Sequence, residues 1–154
     1  MKKFILGIFF IISNFIFAAK DDVLGYWITE KGDSGNQVIV EIYKTKEDKF
    51  NGIIRDLTIP KYLDGEYAGK DKMDLKNKDE NLRGRKLVGI DFIYSFTYDE
   101  KENKYKNGNI YNPENGKVYH SFMQLNSDGT LTVKGSLDKA GLIGKKQIWQ
   151  RYNK

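Results

Sequence analysis

The chain has 154 residues, with 26 Lys and Arg against 21 Asp and Glu, a formal net charge of +5, one histidine and no cysteine. Its lysines and acids interleave without a basic block, which argues against a nucleic-acid partner, and the absence of thiols excludes disulfides, thiol catalysis and a lipid-bearing cysteine. Zinc or copper would have to be held mostly by carboxylates, contrary to what those ions select, so neither a metal nor a cofactor is expected.

Residues 1–19 begin Met1-Lys2-Lys3, run apolar from Phe4 to Phe17 except at Ser13 and Asn14, and end in Ala18-Ala19 before Lys20-Asp21-Asp22. A basic start, an apolar middle and a small-residue exit are the layout of an export signal. The apolar run is shorter than the roughly 20 residues of a spanning helix. The expectation is a signal peptide over 1–19 and one domain over 20–154, exported to the periplasm or secreted, with no transmembrane span after cleavage. Cutting after Ala19 leaves Phe17, and cutting after Ala18 leaves Ile16, at the third position before the cut. Both are bulky, so an uncleaved N-terminal anchor is the competing reading. Without Lys2 and Lys3 the charge falls to +3, and the rest of the chain is long enough for one real core.

Beyond the leader, short β-rich runs are separated by Gly, Asn and Asp clusters. Eight strands are predicted, over residues 25–29, 37–44, 49–57, 91–98, 104–111, 117–125, 130–136 and 146–152. Most separators are short enough to join antiparallel neighbours, so order along the chain should be order in the sheet. Val38, Val40 and Ile42 share one strand face. In the strand after "NPENG", one side carries Val118, His120, Phe122 and Gln124 and the other Tyr119, Ser121, Met123 and Leu125. Mixed faces suit a closed barrel with a partly polar lumen. The fold expected is therefore all-β, a single antiparallel eight-stranded up-and-down barrel.

One connection breaks the rhythm. Residues 58–89, "TIPKYLDGEYAGKDKMDLKNKDENLRGRKLVG", show no strand signal, and loops of this length are usually functional or mobile. A short helix over 73–82 is one reading of its middle, with Asp79 and Glu80 too late in it to cap its start. Its acids, Asp71, Asp74, Asp79 and Glu80, lack calcium-loop spacing and alternate with Lys70, Lys72, Lys76 and Lys78, which reads as a solvated mixed-charge surface. Arg83 and Arg85 flank Gly84, so on an extended chain both guanidiniums point the same way and could grip a carboxylate or phosphate. The competing reading pairs them with acids of the preceding loop.

The segments "GYWITE", "VIVEIYKTKEDKFNGII", "KNKDENLRGRKLVGIDFI", "GNIYNPENGKVYHSFMQL", "LTVKGSL" and "GKKQIWQR" stand in the order and spacing of a bacterial exported family, domain of unknown function 2147, which the chain resembles over residues 23–152. The run from Gly108 to Tyr119 carries the most specific part of the likeness. Where the family often has a proline after the asparagine matching Asn77, this chain has Lys78. The resemblance implies an exported lipocalin-like β-barrel and implies no established activity. At the level of fold, Gly25-Tyr26-Trp27 is similar to the Gly-x-Trp that opens lipocalins, and Arg151 to the arginine that covers that tryptophan. Gly25, Trp27, Trp149 and Arg151 are thus the expected plug of one barrel end.

His120 has neither nucleophile nor carboxylate at the neighbouring positions of its strand face, so it is expected as a wall or ligand-contact residue and not as a catalyst. Paired carboxylates are not evident: Glu41 should point outward and Glu114 sits in a turn. Recurrent tyrosines, among them Tyr26, Tyr43, Tyr94, Tyr105, Tyr111 and Tyr119, offer apolar faces with a hydroxyl handle, suited either to a pocket or to filling a barrel interior. Tyr43, Arg83, Arg85, Tyr111, Tyr119 and His120 are the candidate ligand contacts. The reading is a small envelope protein that binds an apolar or amphipathic small ligand. Its alternative is an envelope protein-interaction module with no interior ligand, and an enzyme ranks third.

Overall fold

The computed structural model describes residues 19–154; apart from Ala19, the expected leader lies outside them. Eight strands follow one another: β1 (Gly25–Ile28), β2 (Val38–Lys44), β3 (Phe50–Leu57), β4 (Asp91–Asp99), β5 (Lys104–Asn112), β6 (Lys117–Leu125), β7 (Leu131–Ser136) and β8 (Gly144–Arg151). Each pairs antiparallel with the next, and β8 returns to β1 to close a barrel in sequence order. This is the lipocalin-like topology that the short separators and the resemblance imply. The strand ends differ slightly from the sequence reading. β8 starts at Gly144 because Ser136 pairs with Gly144, whereas β1 stops at Ile28.

Closure rests on a narrow seam, where Trp27 faces Arg151 and Ile28 faces Gln150. The seam is reinforced at the end of the barrel. The chain before β1 turns across that end, and the Trp27 indole donates from Nε1 to the Val23 carbonyl at 2.8 Å. The Arg151 guanidinium lies 4.0 Å from the centre of the Trp27 ring and donates to the Leu24 and Asp22 carbonyls. A cation over an indole contributes about 0.5 to 2 kcal/mol. Gly25 makes this approach feasible, with φ +106° and a position where a Cβ would stand 3.4 Å from Arg151 Nη1. A side chain there would strain the backbone and crowd the guanidinium. The same end is filled by Phe50, Phe96 and Met123, with Tyr105 edge-on to Phe50 at 5.0 Å and donating its hydroxyl to the Lys20 carbonyl.

The long connection departs from the reading of residues 73–82 as a helix. Its backbone groups pair across the loop: Lys61 bridges Asp71, Met73 bridges Lys86, and the Asp74 amide donates to the Arg85 carbonyl. Those pairings take the groups that a helix would have used. What remains is one 3-10 turn, Glu80–Leu82, and Asp79 is its N-cap, accepting from the Asn81 amide. The connection is thus an ordered strap with a rung at each end of its central stretch.

Candidate functional site

In an up-and-down barrel the connections alternate between ends. The β1–β2, β3–β4, β5–β6 and β7–β8 connections therefore share the end opposite Arg151. There the interior is hollow, with a cavity of about 570 Å³, within the usual range for small-molecule pockets. Its wall is apolar: Val38 of β2, Ile54 and Leu57 of β3, Phe92 of β4, Ile110 of β5, Val133 of β7 and Trp149 of β8. The strap contributes Met73, Leu75 and Leu87 over the mouth. Period-two alternation brings most of these residues together, and a register shift between β2 and β3 at Ile39 and Val40 lets Ile54 and Leu57, three positions apart, both meet the inner residues Val40 and Val38.

Trp149 belongs to this cavity, which corrects its assignment to the plug. It is fully buried and stacks on Phe92 with ring centres 6.0 Å apart, while its Nε1 donates to Gln147 Oε1 at 2.8 Å. The reason is spacing along β8. Lys145, Gln147, Trp149 and Arg151 share the inward face, so they descend from mouth to closed end, and only Arg151 reaches the plug.

The mouth carries charge. Lys72 and Lys76 from the strap and Lys145 from β8 line it together with Glu30, Asp33 and Glu114. The acids already have partners. Glu30 accepts from the Ile148 amide, and Asp33 lies 3.7 Å from Lys145. Glu114 takes the Ser34 hydroxyl at 2.5 Å and the Ser34 and Asp33 amides. Burial alone would raise the Glu114 carboxyl, but these donors outweigh it and hold the group below its ordinary value. The Pro-Glu-Asn-Gly turn is therefore a clasp that ties the β5–β6 hairpin to the β1–β2 loop across the rim. Lys72 and Lys76 have no carboxylate within ion-pair distance among the described residues.

A second fastening holds the strap to the barrel. Asp74, placed by the sequence reading in a solvated charged surface, is fully buried. Its Oδ1 accepts from the Tyr111 hydroxyl at 2.5 Å. Its Oδ2 accepts from Arg85 Nε at 3.0 Å, Arg85 Nη2 at 2.9 Å and Asn77 Nδ2 at 2.7 Å. Next to this cluster Gly116, at φ +69°, packs so tightly that a Cβ would stand 1.9 Å from the Lys76 carbonyl oxygen. Only glycine permits the hairpin turn to touch the strap there.

The candidate ligand contacts divide accordingly. Tyr119 points into the cavity and accepts from Asn115, while Tyr111, which borders the cavity, stands in register with Val118 and gives its hydroxyl to Asp74 of the strap. Arg83 and Arg85 are engaged within the strap, Arg83 with the Asn77 carbonyl and Glu80 and Arg85 with Asp74, so the pairing with loop acids describes them and the shared anion grip does not. Tyr43 lies on the outer wall and donates to Asp91. Its hydroxyl is pushed up by burial and by that carboxylate. His120 is also outside. Tyr119, Ser121 and Met123 point inward, so the intervening His120 and the half-exposed Val118 point out. Glu41 pairs outside with Arg55. The wall is aliphatic more than tyrosyl, and the residues missed by pattern, Lys72, Lys76, Leu75 and Asp74, all belong to the strap.

The Tyr111 hydroxyl is pushed from 10.0 up to about 12, by burial first and then by its hydrogen bond to Asp74. An unfolded tyrosine ionises near pH 10, before the folded one does, so between pH 10 and 12 the unfolded state holds fewer protons and stability falls as pH rises. Tyr105, also raised mainly by burial, acts in the same direction. The melting temperature is expected to drop through this window. Thermal scans of Tyr111→Phe should show a shallower drop, because the contribution of Tyr111 is gone while those of Tyr105 and the other raised tyrosines, Tyr43 and Tyr98, remain.

Among curated proteins none matches the sequence. The fold is similar to a solved structure described as "Protein HP1028 from the human pathogen Helicobacter pylori belongs to the lipocalin family", at 27% sequence identity and a TM-score of 0.69, covering 84% of this chain and 82% of that one. The closed eight-strand barrel, its Trp27–Arg151 end and its open, apolar cavity are consistent with a small-molecule binding protein of lipocalin type. The family pattern described as an uncharacterized protein conserved in bacteria (DUF2147) matches residues 25–151, from the glycine that opens β1 to the arginine that closes β8, and the chain belongs to that family.

Proposed function

We propose that this protein is exported to the cell envelope and holds a small amphipathic molecule in the open half of its barrel. The observation that carries the reading is the cavity of about 570 Å³ with an apolar floor of Ile54, Phe92, Val133 and Trp149 beneath a charged rim. An apolar chain would lie on that floor and gain roughly 25 cal/mol for each Å² removed from water. An acidic head would sit at Lys72 and Lys76, rim cations that make no ion pair within 4 Å among the described residues. The leader-like residues 1–19 support export. An interaction module with a filled interior would have no use for such a cavity, and the single histidine stands on the opposite side of the wall.

The test compares dodecanoate with dodecanol by native mass spectrometry and thermal shift. Dodecanoate is expected to bind and to raise the melting temperature. Lys72→Gln with Lys76→Gln should weaken the acid by about tenfold, the equivalent of one lost charge-assisted hydrogen bond, and leave the alcohol unchanged. Val133→Phe, which puts a ring into the cavity, should weaken both. Binding of neither probe, or binding insensitive to Val133→Phe, would overturn the reading.

A further inference from the structure

The rim also carries side chains that the cavity does not use. In the β7–β8 connection Leu137 is 64%, Leu142 83% and Ile143 66% exposed. These are not the accidents of a loose loop. The Asp138 carboxylate accepts from the Leu142 and Ile143 amides, the Leu137 amide donates to the Ile143 carbonyl, and Ser136 donates to the Asp138 carbonyl. The turn is built, and it is built to hold two adjacent aliphatic side chains in water. Leu63, in the β3–β4 strap that belongs to the same end of the barrel, is 81% exposed. Clustered exposed aliphatics of this kind mark an interaction surface.

The surrounding charge identifies the partner. Lys134 and Lys146 face each other in register on the outer wall of β7 and β8. Like charges directly opposite destabilise a sheet. Among the described residues no carboxylate neutralises Lys134, Lys139 or Lys146, and Lys145 has only the highly exposed Asp33 at 3.7 Å. The one acid in the turn, Asp138, is occupied by the Leu142 and Ile143 amides. Aliphatic tips within a collar of unmatched lysines fit a surface that is apolar beneath and anionic at its face. A second copy of the chain fits poorly, because a symmetric contact would bring Lys134 and Lys146 against their own equivalents.

We propose that the open end of the barrel docks on an anionic lipid bilayer, with Leu142 and Ile143 entering the boundary between headgroups and acyl chains and the collar lysines lying among acidic headgroups. The β7–β8 connection lies at the end where Lys145 lines the cavity, so the mouth is held next to the lipid. Docking does not depend on the cavity being filled, and its test uses no cavity ligand.

The experiment is co-sedimentation of residues 19–154, which contain every strand and the whole described core, with vesicles of phosphatidylglycerol and phosphatidylethanolamine or of phosphatidylcholine alone. The protein should pellet with the anionic vesicles, and should do so less at high salt. Leu142→Glu with Ile143→Glu, and separately Lys145→Glu with Lys146→Glu, should each reduce binding by about tenfold or more, as expected when burial or headgroup attraction is lost. Both double variants should keep the tryptophan fluorescence of the parent, since none of the four residues is in the core. The chain has no cysteine, so a polarity-sensitive probe at Leu142→Cys should shift blue on anionic vesicles, and the same probe at Glu47→Cys, at the closed end, should not. Absence of binding, equal binding to phosphatidylcholine, or binding indifferent to Leu142→Glu with Ile143→Glu would overturn the proposal. So would sedimentation velocity showing a dimer that these substitutions dissociate, which would make the patch a contact between copies.

Discussion

Trp27→Ala is expected to destabilise the barrel by about 3 to 5 kcal/mol, the range for removing a large buried aromatic side chain. Three losses coincide at this residue. Its ring is fully buried among the closed-end core, its Nε1 satisfies the Val23 carbonyl, and its face carries Arg151. Trp27 also lies in register with Arg151 on the seam where β1 meets β8, and that seam is the shortest pairing in the sheet. Weakening it therefore loosens closure itself and not only local packing. For a domain of this size the loss corresponds to a fall in melting temperature of roughly 10 °C or more. Urea unfolding of residues 19–154 measures it, and Trp27→Phe separates the contributions: it keeps most of the apolar volume and should recover more than half of the loss. A near-neutral Trp27→Ala would mean that the chain before β1 does not secure the closed end.

The sequence made the barrel legible because its evidence is local. Gly, Asn and Asp clusters punctuate it, and Val38, Val40 and Ile42 recur at every second position of β2, facts that require no knowledge of distant partners. The same parity rule sorted β6 into two faces, but it could not say which face looked inward. That depends on Tyr119, Ser121 and Met123 meeting a core, and it is why His120 proves to be an outer-wall residue. Trp149 was misplaced for a related reason, because nearness in sequence to Arg151 says nothing about depth along the barrel axis. The strap was least legible. Asp74 sits in a run of alternating lysines and acids that looks solvated throughout, and only the fold brings Tyr111, 37 residues away, onto its carboxylate.

The second large effect is expected at that carboxylate. Asp74→Ala leaves the Tyr111 hydroxyl, the Asn77 amide and the Arg85 guanidinium without their shared acceptor. Breaking a buried ion pair by removing one partner costs about 3 to 5 kcal/mol. The Arg85 side chain is 38% exposed, so water recovers part of its solvation, and the expected loss is nearer 2 to 3 kcal/mol. The consequence should be local before it is global. Asp74 joins the strap to β5, whereas the bridges of Lys61 with Asp71 and Met73 with Lys86 pair the strap with itself. Hydrogen exchange should therefore speed up first over residues 72–87 while the amides of β5 and β6 stay protected. Tyr111→Phe should reproduce a smaller part of the change, about 1.5 kcal/mol, the low end for one hydrogen bond to a charged acceptor. In the double variant the two losses should add to less than their sum, since both act through one contact. If the strap is a lid over the cavity, Asp74→Ala should also shorten the residence time of bound dodecanoate while Lys72 and Lys76 remain intact. Unchanged exchange over residues 72–87 would show that the packing of Gly116 on Lys76 holds the strap down without Asp74.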